Sequence, residues 1–311
     1  MSSKKPSEKT PLSVEQKRLK ALEYSVWAGK LLEPAYFDRA SKAIANRDKE
    51  AFFKVAKDAG IPDEILKRFD EDINQLDLWG GGWGGWGWGP AASLVAVKKL
   101  LLIRPVILND SFTVNFSYPA SKSIGTKALA EGWQLTELAG DAANRNFIED
   151  SITNGDPDFI IHYDHGGTRT LFGQMNNSRD NGVIDANNVK LLTKAVISTV
   201  SCSSAAELGQ LAVAANGRQV KAYMGYRVPM GCEYEFSEYF ERAANAANFA
   251  LLEGETFQRA QEIGYKKYSE EIEKLLALND STSTNLLAVI IMYIDRDHLI
   301  YVGNGSATAH M

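Results

Sequence analysis

The chain has 311 residues and is mildly acidic, with 34 Lys and Arg residues against 39 Asp and Glu residues and a formal net charge of −5. This charge excludes the basic surface that non-specific nucleic-acid binding requires, so no nucleic-acid partner is expected. Two cysteines exclude a disulfide scaffold and a Cys-rich zinc module, and four histidines argue against a histidine-built metal centre. The length allows two domains of roughly 100–200 residues each.

The first residues, MSSKKPSEKT, are polar and lead into no apolar core, so we expect no secretory signal. The sequence also lacks a run of about 18 apolar residues, so neither a transmembrane helix nor a membrane partner is expected. Both features favour a cytoplasmic protein.

The N-terminal part of the chain differs in composition from the rest. Residues 1–13 have the composition of a solvated tail, and the apolar spacing over 14–78 predicts a small all-α domain of about four short helices, one of which ends at Gly60. Residues 79–91 contain WGGGWGGWGWGP and predict a flexible linker, because glycine loses much backbone entropy in regular structure. Its tryptophans leave two other interpretations open, namely docking on an apolar groove or packing over an active site until cleavage.

From residue 92 to residue 311, candidate strands alternate with candidate helices. This pattern predicts an α/β domain whose mainly parallel sheet is covered on both faces. The expected strands are 98–108, 112–119, 133–140, 158–166, 195–202 and 220–226. The expected helices are 127–132, 142–152, 189–194, 205–215 and 236–278. The segment 286–303 is expected to form two strands around an Asp-Arg-Asp turn, as an antiparallel extension at one edge.

Two of these candidate strands end in reactive side chains. One ends at His165-Gly166 and the other at Cys202. Ligands of open parallel sheets bind beyond the carboxyl ends of the strands, so neighbouring strands would place both side chains at one cleft. A cysteine nucleophile needs a base beside it, and the backbone amides of Gly166 and Cys202 would suit an oxyanion hole. A lone Cys or His is more often structural, but the pair at two strand ends predicts a catalytic site.

The segments around these residues resemble a known family. IIHYDHGGTRTLFGQ, GVIDANNVKLL and AVISTVSCSSAAELG follow one another and resemble the core of the caspase-like (clan CD) cysteine peptidases. The last segment is most similar to the gingipain-like and CHAT-type members. The resemblance covers roughly residues 110–303 and implies a three-layer α/β/α sandwich. It also implies peptide-bond hydrolysis that needs no cofactor and no metal.

Carried over to this sequence, the resemblance makes Cys202 the nucleophile and His165 the general acid and base, with the oxyanion hole at the amides of Gly166 and Cys202. This family commonly uses a dyad, so no third catalytic acid is named. Strand alternation is expected to point Asp164 away from His165, as a solvated or helix-capping carboxylate. His162 is expected to pack on the opposite face, and Cys232 is expected to be a loop or core cysteine.

Substrate specificity is less clearly marked. Caspases bind an acidic side chain with basic groups after the first core strand and after the strand that follows the nucleophile, and Lys122 and Arg227 lie near those places. Both are also ordinary candidates for solvated surface cations. Other members select basic residues with an acid two positions before the nucleophile, where this sequence has Val200. Asp180 and Asp185 are alternative acids for such a pocket.

The sequence therefore predicts a cysteine endopeptidase acting on protein or peptide substrates, with self-processing near the 79–91 linker. The alternative is a catalytically silent caspase-like scaffold that binds partners through the N-terminal helices and the Trp-rich segment. A nucleotide-binding Rossmann protein is disfavoured, because no GxGxxG follows the first strands.

Overall fold

The fold is described from a computed structural model of the chain. The residues that it describes are 27, 30–31, 35–36, 39–40, 49–67, 98–174, 182–192, 195–214, 220–278 and 282–309. The predicted tail at 1–13 and the predicted linker at 79–91 lie outside these ranges. Within them, no helix combines the length and the apolarity that crossing a membrane requires.

The chain divides into two compact units. The first comprises residues 1–77 and 272–290, and the second comprises residues 78–271 and 291–311. Of the predicted helical domain at 14–78, the described residues up to position 40 are all helical. The domain boundaries given by the sequence pattern remain a prediction.

Helix α1 (Lys49–Asp58) belongs to the first unit and ends where the sequence predicts. Gly60 has a φ of +78°, a conformation that a side chain disfavours. Its N–H donates to the Lys57 carbonyl at 2.8 Å, and the Ile61 N–H donates to the Ala56 carbonyl at 3.0 Å. These two bonds satisfy carbonyls at the helix end, as in a Schellman motif.

The second unit contains the strands and most of the remaining helices. The strands are β1 (Lys99–Arg104), β2 (Gln134–Ala139), β3 (Phe159–Tyr163), β4 (Gly166–Gly167), β5 (Thr170–Phe172), β6 (Gly182–Asp185), β7 (Val196–Val200), β8 (Ala222–Tyr226) and β9 (Leu299–Gly303). The helices are α2 (Tyr118–Ala130), α3 (Arg145–Gly155), α4 (Leu208–Ala214) and α5 (Ser237–Glu253). Helices α6 (Phe257–Ala277) and α7 (Ser283–His298) each contribute residues to both units.

The central sheet has six strands in the order β2-β1-β3-β7-β8-β9. The first five strands are parallel to one another, and β9 pairs antiparallel with β8 at the edge. A second, small antiparallel sheet contains β4, β5 and β6. The mainly parallel sheet with an antiparallel edge is the predicted arrangement, although its last strand follows a helix rather than closing a hairpin.

Helices cover both faces of the sheet, as the side chains of β1 show. Leu101 and Ile103 are buried in one apolar core together with Ile148 of α3. Leu102 points the other way, because a Cβ added to Gly125 of α2 would lie 3.6 Å from its Cδ2 atom. The second unit is therefore the predicted three-layer α/β/α sandwich.

The strand predicted at 112–119 is wrong, because this segment is helical. Asp110 starts the helix, since its carboxylate accepts hydrogen bonds from the Thr113 N–H at 2.7 Å and the Thr113 hydroxyl at 2.8 Å. A π-helical turn, Thr113–Ser117, leads into α2, and the Tyr118 N–H donates to the Thr113 carbonyl. Pro119 has no N–H to offer the previous turn, which is consistent with the wider π geometry at this point.

The two strands predicted at 286–303 are also wrong in part, because residues up to His298 form α7 and only β9 is extended. The run LLAVIIMYI has no polar face, and such a run does not distinguish a buried helix from a buried strand. Thr282 decides the outcome locally, since its hydroxyl accepts a hydrogen bond from the Asn285 N–H at 3.3 Å and begins the helix. The helix predicted at 236–278 is two helices, divided at Gly254, whose φ is +99°.

Candidate active site

The two reactive segments leave neighbouring strands at the same level. β3 and β7 are adjacent and parallel, and Tyr163 is paired with Val200 at their carboxyl ends. His165 and Cys202 each lie two residues beyond this pair. The pairing therefore delivers both residues to one edge of the sheet, as the sequence predicts.

The segments are in direct contact at Gly166. A Cβ atom added to Gly166 would lie 2.9 Å from the Cβ of Ser201 and 3.0 Å from the carbonyl oxygen of Cys202. Only glycine fits here without displacing backbone, because real Cβ atoms almost never approach so closely. The residue after the histidine is thus held against the residue that carries the thiol.

The loop that carries Cys202 is fixed on both sides. Ser201 is buried, and its hydroxyl lies 2.8 Å from Nδ1 of His162. On the other side, the Ser203 N–H donates to the Val228 carbonyl at 3.0 Å. These bonds attach the loop to β3 and to the segment after β8, so its backbone amides have fixed positions.

His165 has a carboxylate partner that the sequence analysis did not identify. Its Nε2 atom lies 3.0 Å from Oδ2 of Asp110, and both side chains are about one-third exposed, at 30% each. Burial raises the pKa of Asp110, but the hydrogen bonds from His165 and Thr113 outweigh it and bring the pKa to about 2. The hydrogen bond to Asp110 in turn raises the pKa of His165. The only signal for Asp110 in the sequence is its place after the carboxyl end of β1, where polar residues often serve a site.

The prediction for Asp164 is wrong in both its orientation and its exposure. Its side chain is 1% exposed, and Oδ1 lies 3.9 Å from Nε2 of His165. The Thr113 hydroxyl donates to Oδ1 at 2.9 Å, and burial raises the pKa of Asp164 to about 6. Alternation fails because Asp164 has a φ of +134°, which turns the chain after β3.

His162 is buried, in agreement with the packing role predicted for it. Its Nε2 atom lies 2.7 Å from the Phe172 carbonyl, and burial lowers its pKa to about 4. A neutral His162 therefore links β5 of the small sheet to the Ser201 loop. This link holds the hairpin that follows His165 close to the thiol loop.

Cys202 is partly exposed and carries a neutral thiol. Burial of the sulfur raises its pKa to about 11, and the thiol donates a long hydrogen bond of 3.5 Å to the Met230 carbonyl. The nearby carboxyl group of Asp295 on α7 raises the pKa of Cys202 further. Asp295 is buried and accepts a 3.2 Å hydrogen bond from the Gly231 N–H. Burial also raises the pKa of Asp295 itself. The thiol needs a base to become a nucleophile, because only the thiolate attacks.

Cys232, the second thiol, lies in the loop near Asp295. Burial raises its pKa well above the ordinary value, and Asp295 and Glu233 add to the shift. Its Sγ atom lies 3.7 Å from the Glu233 carbonyl. A partly buried thiol whose pKa is raised by neighbouring carboxylates is a poor nucleophile, which agrees with the loop or core role predicted for Cys232.

The residues predicted for specificity lie on several different elements. Arg227 is exposed directly after β8, and Lys122 on α2 lies with its Nζ atom 5.4 Å from the ring centre of Tyr118. Asp185, at the end of β6, forms an ion pair with Arg145 at 2.9 Å. Asp180 lies outside the described residues. Arg227 shares the sheet edge of His165 and Cys202, because β8 is parallel to β7.

Among the residues that the structure describes, one group has the composition of a metal site. Asp110, Asp164 and His165 each offer a ligand atom, and these atoms all lie within 4.8 Å of one another. The group shares His165 with the candidate dyad.

No protein-family model matches the sequence, and no curated protein matches it. The solved structures similar to this chain include the Arg-specific cysteine proteinase gingipain R, with a TM-score of 0.48 and 13% identity over 68% of this chain and 47% of that one. The complex of the RgpB pro- and mature domains from Porphyromonas gingivalis gives a TM-score of 0.46 and 11% identity over 68% and 48%.

The architecture of the chain is given by its own elements, which form an α/β/α sandwich around a mainly parallel sheet. A third similar structure, described only as a protease, also gives a TM-score of 0.46 and 11% identity, over 68% of this chain and 48% of the other. The chain spans about half the length of these three structures, at 47% to 48%. These identities and TM-scores say nothing of activity, which has to rest on the chain's own site.

Proposed function

We propose that this caspase-like chain is a cysteine endopeptidase in which Cys202 is the nucleophile and His165 the general acid and base. The observation that supports it most is the contact between Gly166 and the Ser201–Cys202 segment, at the level set by the β3–β7 pairing. This contact supports the proposal that the thiol, the imidazole and the two backbone amides act together at one end of the sheet. These are the groups that acyl transfer to sulfur requires.

In the proposed mechanism, His165 begins as the neutral base. With its proton on Nε2, shared with Asp110, the Nδ1 lone pair accepts the proton of the Cys202 thiol. The sulfur attacks the carbonyl carbon of the substrate, and the amides of Gly166 and Cys202 stabilise the oxyanion. One such donor is typically worth about 3–4 kcal/mol in the transition state. His165 then returns the proton to the leaving amine, and water hydrolyses the thioester.

Asp110 supports this mechanism as a positioning residue. A carboxylate that accepts the Nε2 proton fixes the tautomer and the ring orientation of His165, and it stabilises the imidazolium that forms during attack. Phe112 packs against the same ring, with 5.2 Å between ring centres. The imidazole is thus held on one edge by charge and on one face by an aromatic side chain.

The proposed substrate preference is for an acidic residue before the scissile bond. Arg227 is exposed at the sheet edge that carries Cys202, whereas the carboxylate of Asp185 is already paired with Arg145. A peptide-library cleavage profile of wild type and Arg227→Ala tests this preference. Cleavage after acidic residues that is lost in Arg227→Ala supports it, and cleavage after Arg or Lys contradicts it.

Self-processing near residues 79–91 belongs to the same proposal and rests on the composition of that segment. Intact-mass measurement of wild type and Cys202→Ala tests it, because only wild type would be cut. Identical single masses, with equal activity of a form lacking 79–91, would count against it. A cytoplasmic location is also proposed, and cell fractionation tests it.

A catalytically silent scaffold is the second candidate, and one observation favours it. The pKa of Cys202 is raised to about 11, so the thiol is protonated before substrate binds. Labelling with a panel of peptide acyloxymethyl ketones separates the two functions. Labelling that is lost in Cys202→Ala and kept in Cys232→Ala supports the peptidase. If no panel member labels the folded protein, the scaffold is favoured.

A further inference from the structure

Two carboxylates lie beside the imidazole of His165, although one is enough to orient the ring. Asp110 and Asp164 both face Nε2, at 3.0 Å and 3.9 Å. Asp110 alone is sufficient to orient the ring. Asp164 is 1% exposed, and among the residues that the structure describes its Oδ2 atom has no hydrogen-bond partner, although most buried polar side-chain atoms have one.

We propose that Asp110, Asp164 and His165 form a binding site for a single divalent transition-metal ion, with Zn²⁺ as the ion of best fit. Their ligand atoms all lie within 4.8 Å of one another. Two ligand atoms on one tetrahedral Zn²⁺ lie about 3.4 Å apart, because each is about 2.1 Å from the metal. The 3.0 Å between Oδ2 of Asp110 and Nε2 of His165 is close to this value.

The chemistry of the three ligands favours zinc over magnesium or calcium. One imidazole nitrogen and two carboxylate oxygens suit a borderline ion, whereas magnesium and calcium prefer oxygen ligands alone. Three protein ligands also leave a fourth position open to water. The partial exposure of Asp110 and His165, at 30% each, gives the ion a route from solvent.

The Thr113 hydroxyl supplies the shell behind these ligands. It lies 2.8 Å from Oδ2 of Asp110 and 2.9 Å from Oδ1 of Asp164, so one buried hydroxyl shares its single proton between the two carboxylates. Hydrogen bonds of this kind strengthen metal binding, because they fix the orientation of the ligands. Because Oδ1 of Asp164 is already engaged, the unpartnered Oδ2 atom is the oxygen available for an ion.

Bound zinc would act as an inhibitor, a consequence that rests on the proposed peptidase function. The ion would bind the Nε2 lone pair of His165 in the tautomer that carries its proton on Nδ1, so Nδ1 would have no lone pair to accept the thiol proton. Binding itself does not depend on that function. The two ideas can therefore fail separately.

Direct binding to the full chain, produced without a histidine tag, tests the site. Isothermal titration with ZnCl₂ is expected to give one site in wild type, and the affinity is expected to fall at least about 10-fold in Asp110→Asn and in His165→Ala. Asp164→Asn is expected to do the same if it folds. Asp297→Asn removes an exposed carboxylate outside the group and should bind like wild type. Equal affinity in Asp110→Asn, His165→Ala and wild type, or no binding by wild type, would overturn the proposal.

Cobalt distinguishes these ligands from the nearby thiol. Co²⁺ bound to Cys202→Ala should keep the visible bands that it shows in wild type, without a sulfur charge-transfer band in either protein. A sulfur band that disappears in Cys202→Ala would assign the metal to the thiol and overturn the site. Zinc binding by a protein that no substrate or ketone probe shows to be active would refute only the peptidase. An active enzyme that binds no zinc would refute only the metal site.

Discussion

Nε2 of His165 lies 3.0 Å from Oδ2 of Asp110, so the candidate catalytic imidazole is held by a carboxylate from a different strand end. Asp110 also begins the helical segment before α2 through its hydrogen bonds from Thr113. Asp110, which orients the imidazole, is therefore held in place by its own hydrogen bonds at the N-terminus of that helical segment. The position of His165 depends on two elements that are far apart in the sequence.

Replacing Asp110 by Asn should lower kcat by a factor of about 10² to 10⁴, because general acid–base catalysis contributes about this much and an amide does not stabilise the imidazolium. KM should change little, since Asp110 has no proposed contact with substrate. Steady-state kinetics on a peptide substrate measures both constants. Asp150→Asn, an exposed carboxylate on α3, is the matched control. An unchanged kcat in Asp110→Asn would remove the positioning role.

Gly166→Ala should impair both folding and activity. The new Cβ would lie 2.9 Å from Cβ of Ser201 and 3.0 Å from the backbone oxygen of Cys202, so the thiol loop must shift. Overpacking of this kind costs about 1–3 kcal/mol of unfolding free energy. Gly167→Ala is the control, because the nearest atom to its Cβ is 3.8 Å away. Urea unfolding and ketone labelling of the two variants should differ, and equal values for both would contradict the close contact.

Arg242→Ala should destabilise the second unit by about 1–2 kcal/mol, because the buried carboxylate of Glu271 loses one of two cations while the half-exposed arginine lessens the cost. Glu271 is 0% exposed and pairs with Arg242 at 2.9 Å and with Lys267 at 3.0 Å. Arg259→Ala removes a cation from an exposed pair and should cost less than about 1 kcal/mol. Urea denaturation checks both, and a loss for Arg242→Ala as small as that for Arg259→Ala would contradict the prediction.

The free energy of unfolding should decrease as the pH falls, and part of this decrease should come from His298. Burial lowers the pKa of His298, and Arg227 lowers it further while Asp297 opposes the shift. The unfolded chain therefore binds a proton at His298 at a higher pH than the folded chain. This difference destabilises the folded state as the pH falls below about 6.5, the ordinary histidine pKa.

Unfolding free energies of wild type and His298→Gln, measured by urea denaturation from about pH 8 to about pH 5, isolate this contribution. The difference between the two proteins should be constant above about pH 7.5 and should change in favour of the variant at lower pH. A difference that stays constant over the whole range would show that His298 titrates alike in both states.

Much of the sheet could be predicted because its strands are continuous apolar runs that end in turn residues. FIIHY and VISTV are buried on both faces, and such segments are typical of parallel strands covered by helices. The adjacency of β3 and β7 was inferred from the placement of His165 and Cys202, and the register confirms it. Local composition and a family resemblance were sufficient for this part.

The errors arose where a cap or a single backbone angle overrides the pattern. FTVNF alternates like a strand, but the carboxylate of Asp110 caps it as a helix. Asp164 should point away from His165 by alternation, but its positive φ turns the chain. Asp110 itself was missed because its partner is distant in sequence, and only the folded chain brings it to Nε2 of His165. Such pairs depend on tertiary structure rather than on any local motif.

The pairing of Tyr163 with Val200 makes the candidate dyad sensitive to insertions and deletions. One residue added between Val200 and Cys202 would move the thiol by about 3.3 Å along the chain and tend to turn it to the opposite side. Relatives of this protein with the proposed activity should therefore keep the lengths of these two short segments, whereas the part of the connection beyond the small sheet can vary more in length.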